Sequence, residues 1–329
     1  MSRSDSRRVF VCCVAAIAAI AASSPRVALA QPVFPDRPIR IIVPFAPGGM
    51  ADVLPRIIAE KLALRLGQPV VTENRPGASG NVGSEVVATA RPDGYTLLAT
   101  PPPPLAINKS LFPRLGFDPA AFVPITVLAS AANVLVVPAA LPVATVEALI
   151  AYARRRPNGL AYASTGNGGT PHLSAELFRT STGAPLVHVA YKGVGPALPD
   201  LVTGRVELMF LNIGDALPHI RRGTLRALAV ASEERHPALP EVPTVAESIP
   251  GFVSATWYAI VAPPGTPGEL VDKLSRAIAD VLQEPAVASK LGDISLQPVG
   301  STPAATRAFI HKEAERWGTV IRNAGIKLD

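Results

Sequence analysis

Cysteine is almost absent from this chain. The only two among its 329 residues are Cys12 and Cys13, and both lie in an apolar run near the N-terminus, at residues 9–22. If that run is removed on processing, the remaining chain has no disulfide, no thiol nucleophile and no cysteine metal site. Its stability must then come from burial of apolar surface alone, and its length is ample for such a core.

Aromatic residues and strong charge are scarce as well. Aromatic residues make up 5% of the chain and are not interleaved with basic residues, and the formal net charge is only +6. The densest basic run, Arg154-Arg155-Arg156, lies at a predicted helix end. Cations at that position favour the helix dipole, so the run has an ordinary structural explanation. We therefore expect no nucleic-acid partner.

The N-terminal apolar run is too short to favour a membrane span, which needs about 20 apolar residues. Three arginines precede the run at residues 9–22, and Ala28-Leu29-Ala30 follows it as a small-x-small cleavage site. These are the parts of a secretory signal peptide. We expect residues 1–30 to be removed and Gln31 to begin the mature chain.

Glycine is concentrated in two loops that each join an apparent strand to an apparent helix. Residues 44–52 read Pro-Phe-Ala-Pro-Gly-Gly-Met-Ala-Asp, and residues 164–172 read Ser-Thr-Gly-Asn-Gly-Gly-Thr-Pro-His. At such a turn the first backbone N–H groups of the helix are unpaired and favour an anion. Glycine also lets a ligand approach the backbone closely. The two loops predict two half-sites that hold one anionic molecule between them.

Neither glycine loop carries a nucleotide-binding motif. GxxxxGK[ST] is absent, and residues 166–171 depart from GxGxxG at the last position, which is Pro171. A third glycine-rich stretch, at 77–83, has the wrong spacing and no clear strand before it. The five histidines lack the spacing of a metal site. A phosphate ligand stays open but has no motif in its support, whereas a bare carboxylate needs less, only a few N–H donors and at most one hydroxyl. We expect no metal and no cofactor.

The remaining sequence alternates apolar strands with helices. Strands are predicted at 39–43, 70–72, 95–99, 160–163, 187–191, 206–211, 225–231 and 256–261, and helices at 53–66, 83–90, 146–156, 173–180, 196–203, 216–222, 269–282 and 303–323. The four prolines at 101–104 predict a loop. Residues 125–137 are almost wholly apolar and long for one strand, so they are interpreted as two strands in line. This alternation predicts an α/β fold with parallel sheet.

The long apolar segment also indicates how the chain is divided. A chain that enters a second domain near Ala132 and returns near Gly251 crosses twice between domains. Two crossings permit hinge bending about a cleft. The predicted divisions are a signal peptide at 1–30, lobe 1 at 31–132 and 252–329, and lobe 2 at 133–251.

Taken together, these features resemble the Bug-type extracytoplasmic solute receptors, which are the substrate-binding components of tripartite tricarboxylate transporters. The similarity extends over essentially the whole chain after the leader. It is carried in order by Pro38-Ile39-Arg40-Ile41-Ile42-Val43-Pro44-Phe45, Gly48-Gly49-Met50-Ala51-Asp52, Glu73-Asn74-Arg75-Pro76-Gly77-Ala78-Ser79-Gly80-Asn81, Pro92-Asp93-Gly94-Tyr95-Thr96-Leu97, Ala163-Ser164-Thr165-Gly166-Asn167-Gly168, His172-Leu173, Tyr191-Lys192-Gly193, Pro243-Thr244-Val245-Ala246-Glu247 and Pro263-Pro264-Gly265-Thr266-Pro267.

The resemblance implies a two-lobe type II periplasmic-binding-protein fold with a ligand cleft between the lobes. It implies a periplasmic monomer, not an enzyme, that captures a small organic carboxylate and delivers it to the membrane permease subunits of a tripartite transporter. The ligand contacts carried over to this sequence are Phe45, Ala46, Gly48, Gly49 and Asp52 on lobe 1, and Ser164, Thr165, Gly166, Asn167, His172 and Tyr191 on lobe 2.

The chain departs from the family pattern at several places that are usually polar or rigid. Ala51 stands where Thr or Ser is frequent, the prolines at 101–104 replace a small polar loop, and Leu211 occupies a place that is often acidic. Ala190 replaces a usual proline. Leu211 and Ala190 remove polarity or rigidity near the presumed cleft. The resemblance therefore implies a plain or aromatic carboxylate as the ligand rather than an amino acid.

Some candidate residues also have ordinary structural roles. Asp52 can act as a helix cap, and His172 can be a buried, hydrogen-bonded histidine. Asn81 and Asn212 can serve to fix loops. Ligand contact and these structural roles stay open as alternatives at this point.

Two other functions stay open beside the transport receptor. A periplasmic sensor subunit, which presents a bound carboxylate to a membrane signalling protein, would use the same binding chemistry. A secreted hydrolase is the less favoured alternative, because Ser164 lacks a GxSxG context: Tyr162 stands at the first glycine position.

Overall fold

The computed structural model of the protein describes residues 34–327. Residues 34–36 belong to a first unit, Met1–Asp36, and every element named below belongs to a second unit, Arg37–Asp329. The predicted signal peptide and both cysteines lie outside the described residues. Among the described helices, none combines the length and the apolar character that a bilayer span requires.

The described part of the chain confirms the predicted α/β alternation. The strands are β1 (Ile39–Val43), β2 (Val70–Asn74), β3 (Thr96–Thr100), β4 (Val123–Pro138), β5 (Leu160–Ser164), β6 (Leu186–Ala190), β7 (Leu208–Asn212), β8 (Leu225–Val230), β9 (Ala255–Ala262) and β10 (Gln297–Pro298). The α-helices are α1 (Met50–Leu66), α2 (Asn81–Ala88), α3 (Asn108–Leu111), α4 (Val146–Arg154), α5 (Thr170–Thr182), α6 (Val194–Val202), α7 (Ile213–Arg221), α8 (Val245–Ser248), α9 (Gly268–Leu282), α10 (Pro285–Asp293) and α11 (Pro303–Ala324). The predicted helices are all present, whereas α3, α8 and α10 were not predicted.

Two groups of parallel strands carry the glycine loops. In the first strand group, β1 lies between β2 and β3, and in the second, β5 lies between β6 and β7. Each glycine loop leaves the carboxyl end of the middle strand, β1 or β5, and enters the following helix. Ligands of open α/β sheets bind outside the carboxyl ends of the strands. The topology therefore puts both loops where a ligand site is expected.

One long strand, β4, pairs with different strands along its first and second parts. From Val123 to Ala132 it pairs antiparallel with β9, and from Asn133 to Pro138 it pairs antiparallel with β7 and β8. The interpretation of residues 125–137 as two strands is wrong, because β4 continues unbroken from Val123 to Pro138 through the change of partner, and its shifts in register lie on either side of that point. The change falls at the predicted entry into lobe 2, and the lobe boundaries themselves stay a prediction.

The prediction of a loop at 101–104 is also wrong. Pro103–Ile107 forms a π-helical turn that continues directly into α3. Proline is tolerated there because the first turn of a helix does not use its N–H groups in helical hydrogen bonds. Both Pro103 and Pro104 are buried. A Cβ atom added at Gly80 would lie only 2.7 Å from Cγ of Pro104, so the prolines pack closely on the neighbouring turn.

A buried carboxylate fixes the C-terminal helix α11 to strand β9. Oε2 of Glu313 accepts hydrogen bonds from Nε1 of Trp257 on β9 (3.0 Å) and from Nε1 of Trp317 (3.1 Å). It also accepts one from Nη2 of Arg316 (3.0 Å). Leu173 of α5 belongs to the same core as both tryptophans. The helix that follows the second glycine loop thus shares a core with α11 and β9.

Candidate functional site

Asp52 fixes the shape of the first glycine loop. Its carboxylate accepts hydrogen bonds from the Gly48 N–H (3.0 Å), from Arg56 Nε (2.9 Å) and from Asn74 Nδ2 (2.8 Å). Asn74 Nδ2 also donates to the carbonyl oxygen of Phe45 (3.0 Å). Burial alone would raise the pKa of Asp52, but the bonds from these three donors outweigh it and the pKa is lowered. The carboxylate is therefore ionised and engaged in holding the loop.

The second glycine loop is held from beneath by two side chains. Oγ of Ser164 donates to the carbonyl oxygen of Gly166 (3.1 Å) and accepts from its N–H (3.2 Å). Nδ1 of His172 accepts from the N–H of Gly168 (3.0 Å). Gly166 and Gly168 have φ values of +127° and +76°, which glycine adopts without a Cβ clash. Ser164 is fully buried and His172 nearly so, so both support the loop from the protein interior.

A stack of three rings lies under this loop. The His188 ring is 3.9 Å from the His172 ring and 4.9 Å from the Tyr162 ring, between centroids. Nε2 of His188 lies 2.6 Å from Oγ of Ser164, and the Tyr162 hydroxyl donates to Oε1 of Glu176 (2.6 Å). Burial, followed by the neighbouring His188, lowers the pKa of His172 to about 4. Burial also lowers the pKa of His188, so both imidazoles are neutral near pH 7.

Acid is therefore expected to destabilise the protein through His172. Its pKa is about 4 in the folded state, against about 6.5 when unfolded, so the unfolded state takes up the proton first. The stabilisation is complete above pH 6.5 and is lost as the pH falls towards 4, with about 2 kcal/mol lost at pH 5. Melting temperatures measured between pH 7 and 4.5 should fall less for His172→Asn, whose Oδ1 can replace the Nδ1 acceptor, than for the parent.

The control for this prediction is His311→Asn. The His311 side chain is 75% exposed and lies 3.7 Å from Glu315, so its loss should leave the pH profile of the parent unchanged. Glu176 contacts the ring stack from α5 and is bonded to Arg179, and both residues are kept in every variant. A His172→Asn profile that runs parallel to that of the parent down to pH 4.5 would contradict the prediction.

Residues of both glycine loops line one cavity, which has a volume of about 700 Å³. It is lined by Phe45, Ser79, Pro103, Phe112, Thr165, Gly166, Asn167, Gly169 and Gly193. The volume is that of small-molecule sites, about 300–1,000 Å³. These nine residues include no charged side chain, so an anion in the cavity must be bound by backbone N–H groups, hydroxyls and side-chain amides. Within residues 34–327, no cluster of three or more His, Cys, Asp or Glu residues could hold a metal ion.

Four of the predicted contact residues line this cavity: Phe45, Thr165, Gly166 and Asn167. Those outside its lining are Ala46, Gly48, Gly49, Asp52, Ser164, His172 and Tyr191. The Tyr191 hydroxyl instead donates to Oδ2 of Asp200 (2.8 Å). Ligand contact by any of these eleven residues stays a prediction.

Sequence reasoning missed several residues of the site. Ser79 lies in the glycine-rich stretch that was set aside for its spacing, and Phe112 gave no sequence signal. His188 lies on β6 in register with Tyr162 on β5, and that pairing depends on the fold. Leu211, expected near the cleft, is fully buried in a core with Val134 and does not line the cavity.

A second cavity, of about 440 Å³, lies between α11 and the segment around α3. Leu105, Phe122 and Ile310 contribute to its mainly apolar lining, and neither glycine loop reaches it. Lys109 and Arg307 also line this cavity, but Lys109 is paired with Asp118 (2.8 Å), and the glycine-loop amides that suit a carboxylate lie at the first cavity.

Comparison with known proteins gives a consistent result. The chain matches the family model described as the tripartite tricarboxylate transporter family receptor, TctC, over residues 54–326. It is 42% identical over 298 residues to Protein BugT of Bordetella pertussis, which covers 90% of this chain and 91% of BugT. The periplasmic binding protein BugD is 31% identical with a TM-score of 0.78, and the similarity covers 90% of this chain and 100% of BugD. The predicted fold class is confirmed.

Two solved structures of similar proteins contain carboxylates. Rpa4515 of R. palustris, solved with adipate, is 40% identical with a TM-score of 0.81, and the match covers 90% of this chain and 100% of that one. MatC (Rpa3494) from Rhodopseudomonas palustris, with bound malate, is 33% identical with a TM-score of 0.77. The match covers 88% of this chain and 100% of MatC.

Proposed function

This chain belongs to the tripartite tricarboxylate transporter receptor family, and from that membership we propose that it binds a dicarboxylate with an apolar spacer for delivery to a membrane permease. The observation that carries the proposal is the lining of the cavity. Neutral hydrogen-bond donors of the second glycine loop lie beside apolar surfaces, and no charged side chain is present among them. A ligand with polar ends and an apolar middle suits such a lining.

The apolar surface comes from Phe45, Pro103 and Phe112. A hydroxyl or ammonium group on the ligand spacer would lose its water against these side chains without gaining a hydrogen bond from them, which costs binding free energy. Thr165 and Asn167 provide polar side chains, and the loop glycines leave the backbone N–H groups accessible. The ligand chemistry that fits best is an unsubstituted dicarboxylate.

The similar proteins of known structure support this choice. The one solved with adipate, whose spacer is an unsubstituted methylene chain, is 40% identical to this chain. The one with bound malate, which carries a hydroxyl, is 33% identical. We expect adipate to bind more tightly than malate, and both to bind more tightly than aspartate.

Binding would proceed by closure of the cleft. A ligand that contacts both glycine loops binds the closed form better than the open form, and it shifts the balance between them by that difference in affinity. Several charge-assisted hydrogen bonds could provide a dissociation constant near one micromolar, which corresponds to about −8 kcal/mol. We propose that the protein acts in the periplasm as a monomer after removal of residues 1–30.

We propose further that the protein is a receptor and not a hydrolase. Ser164 and His188 form a serine–histidine pair, which a hydrolase could use. However, Ser164 is fully buried and its hydroxyl is bonded to the backbone of Gly166. The nearby Glu176 carboxylate binds Tyr162 and Arg179, so it does not orient the histidine as the acid of a triad would. This pair fixes the loop.

A thermal-shift panel tests the proposed function. The purified protein would be melted with adipate, malate, aspartate and citrate at equal concentration. At a thousandfold excess over Kd the bound state gains about 4 kcal/mol, which raises the melting temperature by several degrees. The largest shift is expected with adipate. A larger shift with aspartate than with adipate would contradict the apolar-spacer assignment, and chemical conversion of any of these acids would contradict the receptor assignment.

A further inference from the structure

We propose that Ser79, in the turn that precedes α2, is a ligand-contacting residue in addition to the two glycine loops. The proposal deepens the proposed function, on which it rests, because it assigns a specificity determinant within the same cavity. Ser79 lines that cavity together with Phe45 and Thr165. Its hydroxyl would donate to the ligand carboxylate that lies on the side of the first strand group.

The backbone of this turn is strained in an unusual way. Ala78 and Ser79 have φ values of +45° and +53°, in the left-handed region that residues with a Cβ atom seldom adopt. The only other non-glycine residue with positive φ in the described part of the chain is Ser295. Two consecutive strained residues persist only where the surrounding structure fixes them, and such strain is concentrated at ligand sites.

The surrounding structure does fix this turn. Asn108 is fully buried, and its Nδ2 donates to the carbonyl oxygen of Ser79 (3.0 Å) and to Oδ1 of Asn81 (2.6 Å). On the next residue, a Cβ atom at Gly80 would lie 2.7 Å from Pro104 and 3.1 Å from Phe45. The turn is thus held between the buried amide and the side chains of Pro104 and Phe45, while Ser79 itself is half-buried and lines the cavity.

The composition of the first glycine loop explains why a hydroxyl is needed from this turn. Residues 44–52 contain no serine, threonine, asparagine or glutamine. On the opposite side, Thr165 and Asn167 provide polar side chains to the cavity. Among the lining residues that come from the side of the first strand group, which are Phe45, Ser79, Pro103 and Phe112, Ser79 is the only one with a hydroxyl. A hydrogen bond from a hydroxyl to a carboxylate is charge-assisted and therefore among the stronger ones.

The test compares three variants with the parent by titration calorimetry with adipate and by thermal unfolding without ligand. Ser79→Ala should weaken adipate binding about 10- to 100-fold, the loss expected for a hydrogen bond to a charged group, with little change in melting temperature. Ser79→Gly should raise the melting temperature, because glycine relieves the strain, and should weaken binding as much as Ser79→Ala. Ala78→Gly is the matched control: it relieves strain at the adjacent residue and should keep the affinity of the parent.

The possible results separate this inference from the proposed function. If the parent binds adipate and Ser79→Ala binds it within twofold of the parent, the contact is wrong and the proposed function stands. If Ala78→Gly weakens binding as much as Ser79→Ala does, the turn only positions other groups, which also overturns the contact. If the parent binds no member of the carboxylate panel, the proposed function fails and the assignment of Ser79 fails with it.

Discussion

The variant Glu313→Ala is expected to unfold roughly 10 °C below the parent, since each kcal/mol is worth about 2–4 °C in a domain of this size. The substitution leaves Nε1 of Trp257 and Nε1 of Trp317 buried without their acceptor. An orphaned buried donor costs about 1–3 kcal/mol. Arg316 loses its carboxylate partner as well, but its side chain is 27% exposed, so water offsets part of that loss. The combined loss is about 3–5 kcal/mol.

Two further variants show whether the buried hydrogen bonds are the cause. Glu313→Gln keeps one side-chain oxygen as an acceptor and should lose clearly less stability than Glu313→Ala. Glu315→Ala removes a carboxylate from the same helix, but that side chain is 71% exposed, so its effect should stay within about 0.5 kcal/mol. Chemical denaturation provides the free energies of unfolding. Equal losses for Glu313→Ala and Glu315→Ala would show that the buried carboxylate does not stabilise the contact between α11 and β9.

The parts of the fold that could be predicted from the sequence are those with local causes. The segment Ile39–Val43, apolar except for the exposed Arg40, is long enough for a strand and too short for a helix, and its other four residues are buried. Helix α1 ends at Gly67, which has a φ of +68° and caps the helix in the left-handed conformation. The glycine loops were recognisable for the same reason, because strand, glycine turn and helix follow one another directly in the chain.

The prolines show where a local rule is too coarse. Proline is excluded from a helix interior, yet Pro103 lies in the first turn of a helical segment, where its missing N–H has no intrahelical role. The sequence alone does not tell on which side of the prolines a helix begins. In the fold, burial of Pro104 against Gly80 favours a helical turn at this place. A segment expected to be a loop thereby becomes part of the cavity wall.

The residues that were missed at the site have non-local causes. His188 meets Tyr162 because β5 and β6 pair in a particular register, which a single sequence does not specify. Ser79 and Phe112 come from segments with no shared motif and meet only at the cavity. The Ser164 hydroxyl is bonded to the loop backbone, and ligand contact by Ser164 stays a prediction. Motif reasoning located the loops, whereas packing decides which of their atoms remain accessible.

Replacing Gly166 with valine is expected to weaken dicarboxylate binding by at least about 100-fold, or about 3 kcal/mol. Gly166 has a φ of +127°, which a β-branched residue does not adopt without strain, so the loop must rearrange. Space is not the obstacle, since the nearest atom to an added Cβ, the carbonyl oxygen of Tyr191, is 3.7 Å away. Thr165 and Asn167 flank the glycine and line the cavity with it, so a rearrangement displaces the donors of this loop together.

Gly183→Val is the matched control, because it changes the same residue type at the other end of α5. Gly183 caps that helix with a φ of +64°, and an added Cβ would meet no atom within 4 Å. Both substitutions should therefore destabilise the protein by about 1–3 kcal/mol through backbone strain, and only Gly166→Val should lose the ligand in calorimetric titrations with adipate. If the two variants lose affinity equally, general destabilisation explains the loss. If Gly166→Val binds as the parent does, the second glycine loop does not form the site, because no rearranged loop could hold a carboxylate on the same set of backbone donors.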